Sequence, residues 1–158
     1  MPIPQKLIKF FEKNKVKYEP IKHRTVYTAY DKAQTLRFSQ KMVGKTLVVR
    51  FDKNVALLLI PTNKNLDKGK FKKVARVKNV DFVKEAWMKK NLKGVKVGAI
   101  PPFGNLWRLP TFIDKSLINQ PKIIVNGGDY NWSIKISPAN LKKLIPDLII
   151  GSFSKSRK

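Results

Sequence analysis

No cysteine occurs anywhere in the sequence, which excludes disulfides, thiolate metal sites and a cysteine nucleophile. Histidine occurs once, at His23, so a Ser/His/Asp triad has to use that residue and a zinc site has too few ligands. Acidic residues are scarce, with 10 Asp and Glu against 34 Lys and Arg. Long apolar runs are missing too. Nothing approaches the roughly 20 residues of a membrane-crossing helix, and the start "MPIPQKLIKFFEKN" lacks a signal-peptide core and cleavage site. These absences predict a soluble, cytoplasmic protein with no metal, no cofactor and no membrane partner.

What is present begins with charge. The formal balance is +24, and the sequence pI is about 10.4. A field of this size concentrates polyanions and speeds their encounter, so nucleic acid is the leading partner. Counterion release makes such binding strongly salt-dependent. The positive residues are mostly lysine, scattered along the chain. That pattern supplies a general field more than a set of forked arginine contacts to bases.

Apolar residues make up 42% of the chain, enough for one domain with a core at this length. "PQKLIKFFEKN" spaces Leu7, Ile8, Phe10 and Phe11 as a helix, and "VKYEPI" reads as a short extended run. "TVYTAYDKAQTLRFSQKMVG" reads as a helix capped near Thr28, with Ala29, Ala33 and Leu36 inward and Gly44 at its end. "KTLVVRF" and "NVALLLIP" are strands joined by the polar "DKN", the second buried on both faces. A helix opens at Asn65 or Asp67, and "DFVKEAWMKKNLKG" predicts another that ends at Gly94. "VKVGAI" reads as a strand, "PKIIVNGG" and "WSIKIS" as a hairpin, and "SPANLKKLI" as a helix with Ser137 at its cap. "DLIIGSF" is a last strand before a frayed basic tail. The sum is a mixed α/β single domain. Its sheet is expected to be curled, mixed or antiparallel and barrel-like, flanked by short helices, with the core over residues 16–150 and the tail over 152–158.

One stretch fits none of these elements. Residues 98–104 read "GAIPPFG", whose prolines and glycines forbid both a helix and a paired strand interior. Its enclosed residues are apolar, unlike those of a solvated turn. It is either a packed β-corner, with Ile100 and Phe103 as core plugs, or the wall of a ligand site.

Four segments in order settle the context: "GKTLVV", "ALLLIPTNKNLDKGKFKKVA", "VGAIPPFG…RLPTFID" and "IIVNGGDYNWSIKISPANL". Over roughly residues 16–150 the sequence resembles the YbaK/prolyl-tRNA synthetase-associated editing domain family of aminoacyl-tRNA deacylases. The resemblance implies hydrolysis of amino acids wrongly attached to tRNA, often tRNA for proline, without a metal. It implies that Lys45 is the active-site lysine, and that Gly98, Ala99, Ile100, Pro101 and Pro102 line the aminoacyl pocket. Gly127 and Gly128 match a small-residue turn facing that loop. Asn126 stands where the bacterial Cys-tRNA deacylase branch has serine, and Ser133 where that branch has aspartate. Asp31 stands where the family favours an acidic residue, although helix-surface solvation explains it equally. His23 reads most simply as a surface or half-buried residue. Trp107, Tyr130 and Trp132 either stack on a terminal adenine or pack as ordinary rim residues.

An aminoacyl ester is an activated acyl compound, so positioned water and oxyanion stabilisation suffice for its hydrolysis. The resemblance suggests the substrate's own 2′-OH or amino group as proton acceptor. A role for Lys45 as base is disfavoured unless burial lowers its pKa considerably. The implied partners are the acceptor end of a mischarged tRNA and a cognate synthetase. The competing expectation is a non-catalytic tRNA- or ribosomal-RNA-binding protein on the same fold. A general acyl-ester hydrolase is disfavoured by the missing triad.

Overall fold

A computed structural model of the protein describes residues 3–26 and 29–156. A turn at Asp52 folds β2 (Gly44–Phe51) back on β3 (Asn54–Pro61) as an antiparallel pair. Chain order continues with β4 (Lys64–Leu66), β5 (Val80–Phe82), β6 (Thr111–Asp114), the one-turn helix α5 (Lys115–Ile118) and, after a hairpin and a helix, β9 (Ile149–Gly151). Five strands form one sheet in the order β5-β2-β3-β6-β9, in which the β3–β6 and β6–β9 pairs are parallel. The continuous apolar run of β3 suits its central place, where both faces are covered.

A second, antiparallel sheet has the order β1-β8-β7, built from β1 (Glu19–Lys22), β7 (Ile123–Asn126) and β8 (Trp132–Ile136). Pro20 sits in β1 at the sheet edge, where its missing N–H costs no ladder bond. The two sheets meet where Val43 bridges Ile124 in parallel and the Ile124 N–H donates to the Met42 carbonyl at 2.9 Å. The sheet curls but does not close.

Alternation along the β7–β8 hairpin divides its residues between two environments. On one side, Ile123, Val125, Ile134 and Ile136 join Leu7 and Phe11 of α1 (Gln5–Asn14) and Leu141 and Leu144 of α6 (Pro138–Leu144). On the other, Ile124 packs with Val43 and with Ala33 of α2 (Ala29–Leu36). Further along that side α3 (Lys68–Ala75) buries Phe71 against Phe112, with ring centroids 5.0 Å apart. Burial of each such side chain contributes about 1.5–3 kcal/mol.

The mixed α/β single domain expected from the sequence is the observed architecture. Local signals explain much of it: Asp67 caps α3 by accepting the Lys70 N–H at 3.0 Å. Ser137 caps α6 likewise, with Pro138 at its first position. Four expectations are corrected. The second helix stops at Leu36, because Arg37 turns left-handed with φ 58, and Gly44 opens β2 instead. Asp81 and Phe82 are drawn from the predicted helix, with Val80 before it, onto the free edge of β2, leaving α4 as Glu85–Asn91. "VKVGAI" forms no strand, because the Ala99 N–H turns back to the Lys96 carbonyl while the Lys96 N–H and the Ala99 carbonyl bond to Gly128 of the "NGG" turn. The tail is anchored rather than frayed over Ser154–Ser156: these residues form β10 on β4, behind a fully buried Phe153. The predicted cap at Thr28 lies outside the described residues.

Candidate active site

The "GAIPPFG" loop is two structures joined end to end. Its second half is core: Ile100 is buried among Val48, Leu57 and Val83, and Phe103 meets Phe11 edge-on with centroids 5.4 Å apart. Thr111 locks this half, its hydroxyl donating to the Pro102 carbonyl at 3.0 Å and accepting the Gly104 N–H at 2.9 Å. Pro101 and Pro102 are buried with it. The first half faces a cleft. Gly98 is exposed and has φ +92, a left-handed conformation that a side chain resists, and a Cβ there would stand 3.2 Å from the Tyr130 ring.

The loop is tied to the hairpin turn. The Gly128 N–H donates to the Ala99 carbonyl and the Lys96 N–H to the Gly128 carbonyl, both at 2.9 Å. Asn126 adds a side-chain strut, its Nδ2 donating to the Ile100 carbonyl at 3.0 Å. The small cleft so formed is lined by Val26, Lys32, Gly98, Ala99, Asp129 and Tyr130, with Asn126 at its floor, and it offers room for little more than one water. Asp129 is buried, with Lys96 Nζ 3.4 Å from its Oδ2.

Register places Lys45 on the same side of the sheet. Val43 and Ile124 are level and parallel, so Lys45 and Asn126, two residues further along each strand, share that face. Ser133 joins them as the direct cross-strand partner of Asn126. Lys45 is half-buried, whereas Val48 on the opposite face packs beneath Ile100.

Lys32 is the residue that sequence reasoning missed. It lies on α2, is only 4% exposed, and donates from Nζ to Asn126 Oδ1, its one hydrogen bond among the described residues. Burial pushes its pKa down to about 7, because the charged form loses its hydration. A signal was available: Lys32 falls three residues after Ala29, four before Leu36 and beside Ala33, on the face assigned inward.

His23 has a defined role in the frame. Its Nδ1 lies 2.8 Å from the Arg24 carbonyl, which can only accept, so Nδ1 carries the proton. Nε2 therefore accepts from the Ser133 hydroxyl at 2.9 Å. Burial lowers the His23 pKa, and the nearby Lys32 charge lowers it further, against the opposing effect of the backbone bond to Arg24. Ser133 is fully buried, so its hydroxyl braces the imidazole and presents no nucleophile to solvent.

Comparisons with known proteins identify the family. Residues 23–144 match the aminoacyl-tRNA editing domain. The chain belongs to that family. Among solved structures it is similar to the hypothetical protein APE2540, with a TM-score of 0.85 at 21% identity, covering 96% of this chain and 100% of that one. It is also similar to a candidate trans-editing enzyme for prolyl tRNA synthetase, with a TM-score of 0.82 at 21% identity, covering 99% of each chain. These likenesses concern the fold.

The editing-domain frame brings together Gly98, Ala99, Asn126 and Tyr130 around one cleft, with Lys45, Ser133 and His23 on the same side of the sheet. Gly127 and Gly128 form the turn that holds the loop, with the Gly127 N–H bonded back to the Trp132 carbonyl at 3.2 Å. Asp31 is exposed on the first turn of α2. Trp107 stands apart: its indole N–H donates to the Lys93 carbonyl at 3.0 Å and Lys6 covers its ring. Trp132 packs against the α1 cluster. Among the described residues no group of three metal-ligating side chains occurs, and no helix is long and apolar enough to cross a membrane.

Proposed function

We propose that the protein is a trans-acting editing hydrolase that deacylates mischarged aminoacyl-tRNA, with tRNA for proline carrying alanine, cysteine or a residue of similar size as substrate. Membership of the editing-domain family supports the reaction class. The observation that carries the reading is the cleft between Gly98–Ala99 and Asn126, a narrow site walled by rigid backbone. A water-sized space beside a rigid backbone wall suits an attacking water, and the wall itself leaves room beside it only for small residues of the kind a synthetase rejects poorly.

In this reading the aminoacyl group lies against Gly98 and Ala99, the cleft-facing half of the Gly98–Pro102 loop, and Lys45 orients the ester or neutralises the terminal phosphate. Loop N–H groups and the lysines stabilise negative charge developing on the carbonyl oxygen, a contribution worth about a hundred- to a thousand-fold per donor. The +24 charge collects the tRNA body, and a cognate synthetase is the proposed source of mischarged substrate. Activated ester chemistry calls for no metal, and the proposed compartment is the cytoplasm, where charged tRNA is found. Residues 16–150 are the proposed editing unit.

The test is hydrolysis by the purified protein across a panel of mischarged tRNAs. Alanine on tRNA for proline comes first, then cysteine and serine. Release above the uncatalysed rate on at least one small residue is expected. The second reading, a non-catalytic RNA-binding protein, draws on the charge and on a cleft this narrow. Tight, salt-sensitive binding without release on any member of the panel would establish it.

A further inference from the structure

The cleft holds a buried amine for which no role has been assigned. Lys32 enters from α2, lines the cleft beside Gly98 and Ala99, and is only 4% exposed. Asn126 fixes it by a chain of two hydrogen bonds: Lys32 Nζ to Asn126 Oδ1, then Asn126 Nδ2 to the Ile100 carbonyl. The same amide therefore orients both the amine and the loop proposed to hold the aminoacyl group. A buried ammonium ordinarily acquires a carboxylate. The carboxylate that lines this cleft, Asp129, is engaged by Lys96 instead. Lys32 thus lines a water-sized space with an amide and not an acid as its partner.

We propose that Lys32 is the general base of the deacylation, taking a proton from the water that attacks the aminoacyl ester. This rests on the deacylase reading above. The water oxygen forms a bond to the carbonyl carbon, and the C=O π pair moves onto the carbonyl oxygen. The water proton passes to the lone pair of the neutral Lys32 amine. When the tetrahedral adduct collapses, the C–O bond to the ribose breaks. The departing 3′ oxygen takes the proton back from Lys32, releasing free amino acid and tRNA with no other co-reactant. A lysine with an ordinary pKa is protonated at neutral pH and unfit for this step. Desolvation at Lys32 brings it near 7, where base catalysis is most effective.

Other groups surround Lys32 and bear on its titration. His23 lies close enough for its own pKa to be lowered by the Lys32 charge, and Lys45 shares the sheet face. Asp31 precedes Lys32 on α2, while Asp129 of the cleft lining pairs with Lys96. His23 is the rival base, but its Nε2 is occupied by the Ser133 hydroxyl and its Nδ1 by a carbonyl.

The experiment is single-turnover release of alanine from mischarged tRNA for proline between pH 5 and 9. It compares the wild type with Lys32→Met and His23→Ala. The wild-type rate is expected to rise about tenfold per pH unit and level off near pH 7. Lys32→Met should lose about a hundred-fold or more at neutral pH, lose the rising limb, and keep its tRNA affinity. His23→Ala should keep the limb. Because a core substitution can disturb folding, the Lys32 amine of the wild-type protein is also titrated by nitrogen-15 NMR, with a midpoint near 7 expected. A midpoint near 10, or a Lys32→Met rate that falls while the limb stays, overturns the proposal and leaves the deacylase reading standing. So does transfer of the limb to His23→Ala. No release by the wild type on any mischarged tRNA overturns both.

Discussion

The two faces of the β7–β8 hairpin are made of alternate residues of the same nine, yet they behave as different materials. Toward α1 stand Ile123, Val125, Ile134 and Ile136, all at most 1% exposed and all apolar. Toward α2, beyond the apolar Ile124, stand Asn126 and Ser133, also buried but bonded to Lys32, to the Ile100 carbonyl and to His23. One face is held by burial, which asks little of each side chain beyond size. The other is held by directional bonds, each of which leaves a buried polar group stranded if its partner is lost. The first holds the fold together and the second frames the candidate site.

Substitutions on each side break the comparison in different ways. Phe103→Ala on the apolar side should cost about 3–5 kcal/mol, read by chemical denaturation. Its effect on turnover in the folded fraction should be slight. Asn126→Leu strands the Lys32 amine and the Ile100 carbonyl at once, at about 1–3 kcal/mol of stability. Its turnover should fall well beyond what unfolding explains, because amine and loop lose their common support. Gly98→Ala forces a side chain into the left-handed region beside the Tyr130 ring, costing about 1–2 kcal/mol and raising KM. Ser133→Ala removes one neutral hydrogen bond to His23, worth about 1 kcal/mol, and should change turnover least.

pH gives a further contrast, because only the polar face titrates. The folded pKa of Lys32 is pushed down to about 7 from 10.5. Between those values the unfolded chain binds more protons than the folded one, so stability rises with pH across that window. Burial of Lys32 therefore destabilises the fold most below pH 7. Lys32→Met should be more stable than the wild type at pH 6, with the gap shrinking by pH 9 in thermal melts. A gap independent of pH would mean that Lys32 is not titrating in the fold.

The apolar face was legible in the sequence, and so was much of the site. Short apolar runs predicted the strands, and the polar "DKN" and "NGGDYN" predicted two hairpins. Glycine and proline marked residues 98–104 as a special loop. Whether that loop was core or wall had no single answer in sequence, because Ile100 and Phe103 plug the core while Gly98 and Ala99 face the cleft. Lys32 was not found, because scattered lysines hide one that points inward. Only the meeting of α2 with β7, residues 94 apart, gives it a partner. His23 and Ser133 stayed obscure for the same reason: their bond spans 110 residues. The short strands β5 and β10 were missed because pairing to β2 and β4, not local pattern, creates them.

The most direct test of the central claim sets turnover against binding in a single pair of proteins. Wild type and Lys45→Ala are given alanine-charged tRNA for proline, and free alanine and bound tRNA are measured together. Editing predicts rapid release by the wild type, and binding without release by the variant. Release by neither protein, with both holding the tRNA equally well, would contradict it.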